Sequence, residues 1–143
     1  MSTDYDADIV AWANEQAALL RAKKYSQLDI EHIADEVEDV GKSEQRELKS
    51  HMAVLLAHLL KWRLQHERRG TSWQVTIRSQ RKEVLRSLSD TPSLKANLDD
   101  QEWWDIVWGR AVDLANRETG IKDFPVAIPW SRDQILDLDY LPD

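Results

Sequence analysis

Four carboxylates and two imidazoles stand close enough in the chain to suggest acid–base or metal chemistry: Asp35, Glu36, Glu38 and Asp39, followed by His51 and His58. A carboxylate beside a histidine can move protons near neutral pH, and the same donors bind divalent metals. Spacing limits both chemistries. On a helix His51 and His58 would share a face but stand roughly 10.5 Å apart along its axis, too far to hold one ion together. A metal centre inside a helical bundle draws Glu-x-x-His units from facing helices. Here only Asp29-x-x-His32 comes near that pattern, and it stands alone. The chain has no cysteine, which excludes thiol catalysis, disulfides, Cys-ligated zinc and iron–sulfur clusters. It shows no Gly-rich phosphate loop and no nucleophile elbow. A small metal-dependent or hydrolytic enzyme using His58 with Glu36 or Asp39 is therefore the alternative reading. The plainer one makes His58 a hydrogen-bonded core residue in the apolar run Met52 to Leu60, and the acids a solvated helix face. No metal ligand set and no cofactor is expected.

Charge is unevenly distributed. Residues 1–40 carry 3 basic and 10 acidic side chains, residues 41–90 carry 11 and 5, and residues 91–143 carry 5 and 11, within a net charge of −7. The basic middle gathers Arg63, Arg68, Arg69, Arg78 and Arg81, an expected anion- or partner-binding end that would hold a polyanion weakly and lose it with salt. The competing reading pairs these cations with the acidic ends of the chain itself. Tryptophan is the second concentration, with 7 in 143 residues. Trp12, Trp62 and Trp73 fall on apolar stripes and should be core. Trp103, Trp104 and Trp108 crowd one helix, and at least one of them is expected to stay partly exposed as an interface anchor. The competing outcome is a C-terminal arm folded over all three.

The elements that must position these groups are helical. Apolar residues recur at helical spacing in nearly every segment, and Gly and Pro number only four each. One helix is expected from about Asp6 to Lys23. A second runs from about 29 to 66, capped by Asp29, with its stripe Ile30, Ile33, Val37, Val40, Leu48, Met52, Leu55, Leu59 and Trp62 holding register across Gly41. A break at Gly41 is the alternative. Ser72 would cap a third helix, and Thr91 with Pro92 would open a fourth that ends at Gly120. Ser131 and Gln134 fit a capping box for one short helix after an extended stretch. The expected fold is all-α: an antiparallel bundle of about four main helices over residues 1–120, with an arm over 121–143 packed on it as one domain, at least 60% helical. A chain of this length buries about two-thirds of its unfolded surface and needs no metal or disulfide to fold. The N-terminus is acidic and lacks a signal-peptide pattern, and no apolar run approaches the ~20 residues of a bilayer span. A cytoplasmic protein without membrane association is expected.

Three segments carry a family resemblance: Asp29-Ile30-Glu31-His32 through Glu36-Val37-Glu38-Asp39-Val40-Gly41-Lys42-Ser43-Glu44, then Leu55-Leu56-Ala57-His58-Leu59-Leu60-Lys61-Trp62, then Ser72-Trp73-Gln74-Val75-Thr76-Ile77-Arg78-Ser79-Gln80-Arg81. In this order the chain resembles the bacterial domain-of-unknown-function family 29, from about Tyr5 to Pro142. Where that family often carries Pro, this chain has His66. Where it often carries Cys-Pro, this chain has Ile128-Pro129. The resemblance implies a small helical bacterial protein and no assigned activity. The residues themselves favour a non-enzymatic interaction protein, with a protein partner or a homo-oligomer engaged through the basic end and the tryptophan face.

Overall fold

Helical spacing with few helix breakers gives a chain that is 75% helix, with no strand among the described residues. The computed structural model describes residues 3–143; Met1 and Ser2, the first residues of the acidic N-terminal run, lie outside them. Five α-helices follow in order: α1 Ile9–Arg21, α2 Ile30–Leu64, α3 Thr71–Asp90, α4 Gln101–Thr119 and α5 Arg132–Leu136. Short 3₁₀ segments join them at Tyr25–Gln27, His66–Arg68 and Pro92–Asp99. The chain divides into two compact units, Met1–Ser43 and Glu44–Asp143, and α2 contributes to both.

The helix ends follow from local chemistry. Asp8 caps α1 through the Ala11 N–H. The helix stops in a Schellman motif, with the Lys24 N–H on the Leu19 carbonyl and the Lys23 N–H on that of Leu20. Lys23 takes the left-handed conformation (φ 59°) usually given to glycine. At the end of α4 glycine does fill that role: Gly120 has φ 75° and its N–H meets the Asn116 carbonyl. Ser131 and Gln134 form the expected capping box of α5. α2 runs through Gly41 without a break; an interior glycine costs only about 1 kcal/mol.

Two boundaries and the burial of one stripe differ from expectation. The fourth helix is two elements, because the Asp100 side chain accepts the Glu102 N–H and caps a fresh helix after the 3₁₀ stretch. α3 starts one residue before Ser72, with Gly70 at the cap and no side-chain cap bond. The α2 stripe is not core along its whole length. Leu48, Met52, Leu55 and Leu59 are fully buried, whereas Ile30, Val37 and Val40 are 67%, 66% and 68% exposed. Periodicity marks the face of a helix that could be covered, but whether another element covers it is a non-local matter.

In the C-terminal unit the core is built from the second part of α2, α3, α4 and the arm, with Leu56, Leu60, Ile77, Val84, Val107, Ala111, Trp130 and Ile135 in one cluster. The N-terminal unit has a much smaller interior: in α1 only Trp12 and Gln16 are buried.

Candidate functional site

The basic surface is largely occupied by the chain itself. Arg81 lies at the core register of α3, between Ile77 and Val84, and is fully buried. Its guanidinium donates to the carbonyls of Ile135 at 2.8 Å, Tyr140 at 2.6 Å and Gln134 at 3.2 Å. Burial lowers its pKa, while the charges of Asp137, Tyr140 and Asp139 oppose that shift. Arginine stays charged in proteins, so the group is a five-donor clasp on the arm. Arg69 donates to the Trp62 carbonyl at 2.6 Å and to that of Pro142 at 3.5 Å, with its guanidinium carbon 5.1 Å from the Trp62 ring centroid. Arg78 meets Asp139 at 3.2 Å on the surface. Three of the five arginines thus hold the arm. Arg63 and Arg68 are exposed and have no ion-pair partner among the described residues.

His58 is half-buried on α2, with Nδ1 donating to the Val54 carbonyl at 3.0 Å. Burial pushes its pKa down, the more so beside Lys61. Lys61 is itself buried, paired with Glu118 of α4 and 5.3 Å from the Trp73 ring centroid. The hydrogen bond from Lys61 holds the Glu118 carboxyl below the usual carboxylate range. Glu36 and Asp39 belong to the N-terminal unit and His58 to the C-terminal one, so neither unit assembles the grouping of the enzymatic reading. No group of three or more His, Asp or Glu among the described residues could hold a metal ion.

The three α4 tryptophans are all buried, at 4%, 9% and 6% exposure for Trp103, Trp104 and Trp108. The expectation that one stays partly exposed is not met: the arm covers Trp108, and the Pro92–Asp99 segment meets Trp104. Trp108 donates its indole N–H to the Pro125 carbonyl at 3.1 Å and meets the Trp130 ring edge-on at 6.1 Å. Trp104 donates to the Leu98 carbonyl at 2.8 Å and packs edge-on against Trp103 at 5.0 Å. The Trp103 indole nitrogen is buried with no acceptor. Between α4 and the arm lies an open cleft of about 530 Å³, lined by Trp104, Trp108, Trp130, Ala127 and Ile128, with Gln101, Asp105 and Arg132 also on its walls. Arg132 is held by Asp99 at 2.8 Å, and Asp105 accepts from Gln101 at 2.9 Å. The volume lies within the range of ordinary ligand pockets, roughly 300–1,000 Å³. Trp130 is the residue that reasoning on α4 alone could not place there.

A polar cluster that sequence spacing left as an isolated Asp-x-x-His organises the N-terminal unit. Asp29 accepts from the Trp12 indole at 3.0 Å and from His32 Nδ1 at 2.7 Å, and its own backbone N–H donates to Gln16 at 2.8 Å. Tyr5 stacks on the His32 ring at 4.0 Å, and its hydroxyl donates to Glu36. That bond, with some burial and the charges of Glu36, Asp39 and Asp35, pushes the Tyr5 pKa up to about 12. The hydrogen bond to Asp29 raises the His32 pKa above 6.5, and the same bond, helped by those from Trp12 and the His32 backbone, lowers that of Asp29 below 3.8. The His32 contribution to stability is complete below its free value and is lost as pH rises through the raised folded one. The Asp29 contribution is complete above its free value and is lost as pH falls through the lowered folded one. The Asp29–His32 pair is therefore expected to stabilise the unit most between the two free values, 3.8 and 6.5. Hydrogen-exchange protection factors of α1 should fall as pH rises above the free histidine value of 6.5, and His32→Gln should flatten that dependence. A slope unchanged in the variant would assign the effect to other groups.

A family model described as Domain of unknown function DUF29 matches residues 5–141, nearly the whole chain. No curated protein and no solved structure matches it. The chain belongs to the DUF29 family.

Proposed function

We propose that this DUF29 protein is a non-enzymatic interaction protein, and that the cleft between α4 and the arm receives an apolar side chain of a protein partner. The observation that carries the reading is the cleft wall of Trp104, Trp108 and Trp130 bordered by Asp105 and Arg132. Aromatic walls contribute apolar area to a guest side chain, and a few charged groups at the edge orient its backbone. The buried cations of the C-terminal unit support the same reading, since Arg81 is engaged by carbonyls of the arm and Lys61 by Glu118.

The indole N–H resonances of Trp104 and Trp108 report on the cleft directly. N-acetyl-leucinamide, titrated as a probe for an apolar side chain, is expected to shift both resonances saturably at millimolar concentration. Ala127→Trp should fill the cleft and abolish the shift while leaving the melting temperature within a few degrees. Unmoved indole resonances at saturating probe would sink the proposal. Arg63 and Arg68 add a weaker contact for a polyanion. Low-salt retention on a heparin column should vanish between about 50 and 200 mM salt, and also in the Arg63→Glu/Arg68→Glu variant with its melting temperature unchanged. Retention that survives the double reversal would remove these residues from the proposal.

A further inference from the structure

Of the eleven large apolar residues exposed among the described ones, seven fall between Ile9 and Val40. Three of them lie on the first part of α2, at Ile30, Val37 and Val40, each about two-thirds exposed. At 100° per residue these three fall within an 80° arc, and Ala34 and Gly41 extend it to a band roughly 120° wide. Ala34 and Gly41 are exposed as well, and a side chain added at Gly41 would meet nothing within 4 Å. The spacing from Ile30 through Ile33 and Val37 to Val40 alternates three and four residues, the seam along which one helix packs on another. Small residues at Ala34 and Gly41 allow a partner backbone to come close.

The charges around the band select its occupant. Glu31 and Glu38 border it on one side, with Lys42 paired to Glu38 at 3.8 Å in the open, and Glu36 on the other, with Asp35 and Asp39 behind. Residues 1–40 carry 10 acidic against 3 basic side chains. A second copy would bring the same excess of carboxylates onto this seam and be repelled, whereas lysines or arginines flanking an apolar stripe would be attracted.

We infer that the Ile30–Gly41 face of α2 is a docking surface for a basic amphipathic helix of a partner protein. The helix lays its apolar stripe on Ile30, Val37 and Val40, and its cations meet Glu31 and Glu38. This is the helix-on-helix mode of recognition, with apolar anchors at three- and four-residue spacing and charge fixing the register. The surface is independent of the α4 cleft, so either can fail without the other.

The probe is an 18-residue Leu/Lys amphipathic peptide carrying a fluorophore, titrated against the full chain and read by anisotropy. Wild type is expected to bind it, more weakly at about 200 mM than at about 50 mM salt. Val37→Ser/Val40→Ser keeps every charge and should lower affinity at least tenfold with the circular dichroism spectrum unchanged. Val75→Ser, at an exposed valine of α3, should bind like wild type. Equal affinity in Val37→Ser/Val40→Ser would reduce the interaction to bulk charge and overturn the inference, as would no binding by wild type. Sedimentation showing a wild-type dimer that the same double variant dissociates would give the face to a second copy instead.

Discussion

Replacing Arg81 with methionine is expected to destabilise the C-terminal unit by about 3 kcal/mol, with a fall in melting temperature of about 10 °C for a chain of this size. The side chain is fully buried and satisfies three carbonyls of the arm. Methionine fills most of the volume but donates nothing. A buried acceptor left without a donor costs about 1–3 kcal/mol. The Ile135 carbonyl lies at the buried contact, while those of Gln134 and Tyr140 are part-buried and can regain water, so the total stays near the lower end of the threefold sum. Arg81→Lys should fall between, because an ammonium is a point charge without the planar fork. Arg78 supplies the contrast. It stands three residues away and pairs with Asp139, but both side chains are at least half exposed. Arg78→Ala should therefore cost less than about 1 kcal/mol. Urea midpoints of the three variants decide the matter. If Arg81→Met is as mild as Arg78→Ala, the clasp does not hold the arm.

Arg81 also marks how much of this molecule was legible beforehand. Trp73, Ile77, Val84 and Leu88 define the α3 stripe, and Arg81 stands four residues after Ile77 and three before Val84, in core register. An arginine there signals a buried group that must meet several acceptors; grouping it with exposed cations by charge alone hid that signal. Local features were easier to read. The continuity of α2 across Gly41, the left-handed Gly120 and the Ser131–Gln134 capping box each depend on residues within one or two turns. Asp100 shows the limit of that legibility, since periodicity carries from Leu94 to Leu114 while a short side-chain bond to the Glu102 N–H starts a new helix. The tryptophans and the α2 stripe were harder for one common reason. Amphipathic spacing shows which face seeks cover, but the cover comes from far along the chain: Pro125 and Trp130 lie over Trp108, whereas Val37 and Val40 stay about two-thirds exposed.

Removing the arm tests that long-range cover most severely. A chain ending at Gly120 loses Trp130 and Ile135, buried to 7% and 2% exposure, along with the partly buried Phe124, Ile128, Leu136 and Leu141. Burying one large apolar side chain contributes roughly 1.5–3 kcal/mol, so the two buried residues alone stand for about 3–6 kcal/mol. Arg81 loses its three acceptors at the same time and becomes a charge in an apolar wall, and Trp108 loses the Pro125 carbonyl. Together these terms reach the whole stability of a typical domain, about 5–15 kcal/mol. The truncated chain is expected to keep most of its far-ultraviolet helical signal, because the packing of α2 around Leu48–Leu60 against Ile77 and Val84 of α3 remains. It should lose the near-ultraviolet tryptophan signal, bind an apolar dye and aggregate at micromolar concentration, the behaviour of a chain with helices but without fixed packing. Trp130→Ala in the full chain should take part of the same path, at about 3–5 kcal/mol. A truncated chain that stays monomeric and melts cooperatively within a few degrees of the full one would show that α2, α3 and α4 close their core without the arm. Trp103, Trp104 and Trp108 would then be covered by their own helices rather than by residues 121–143.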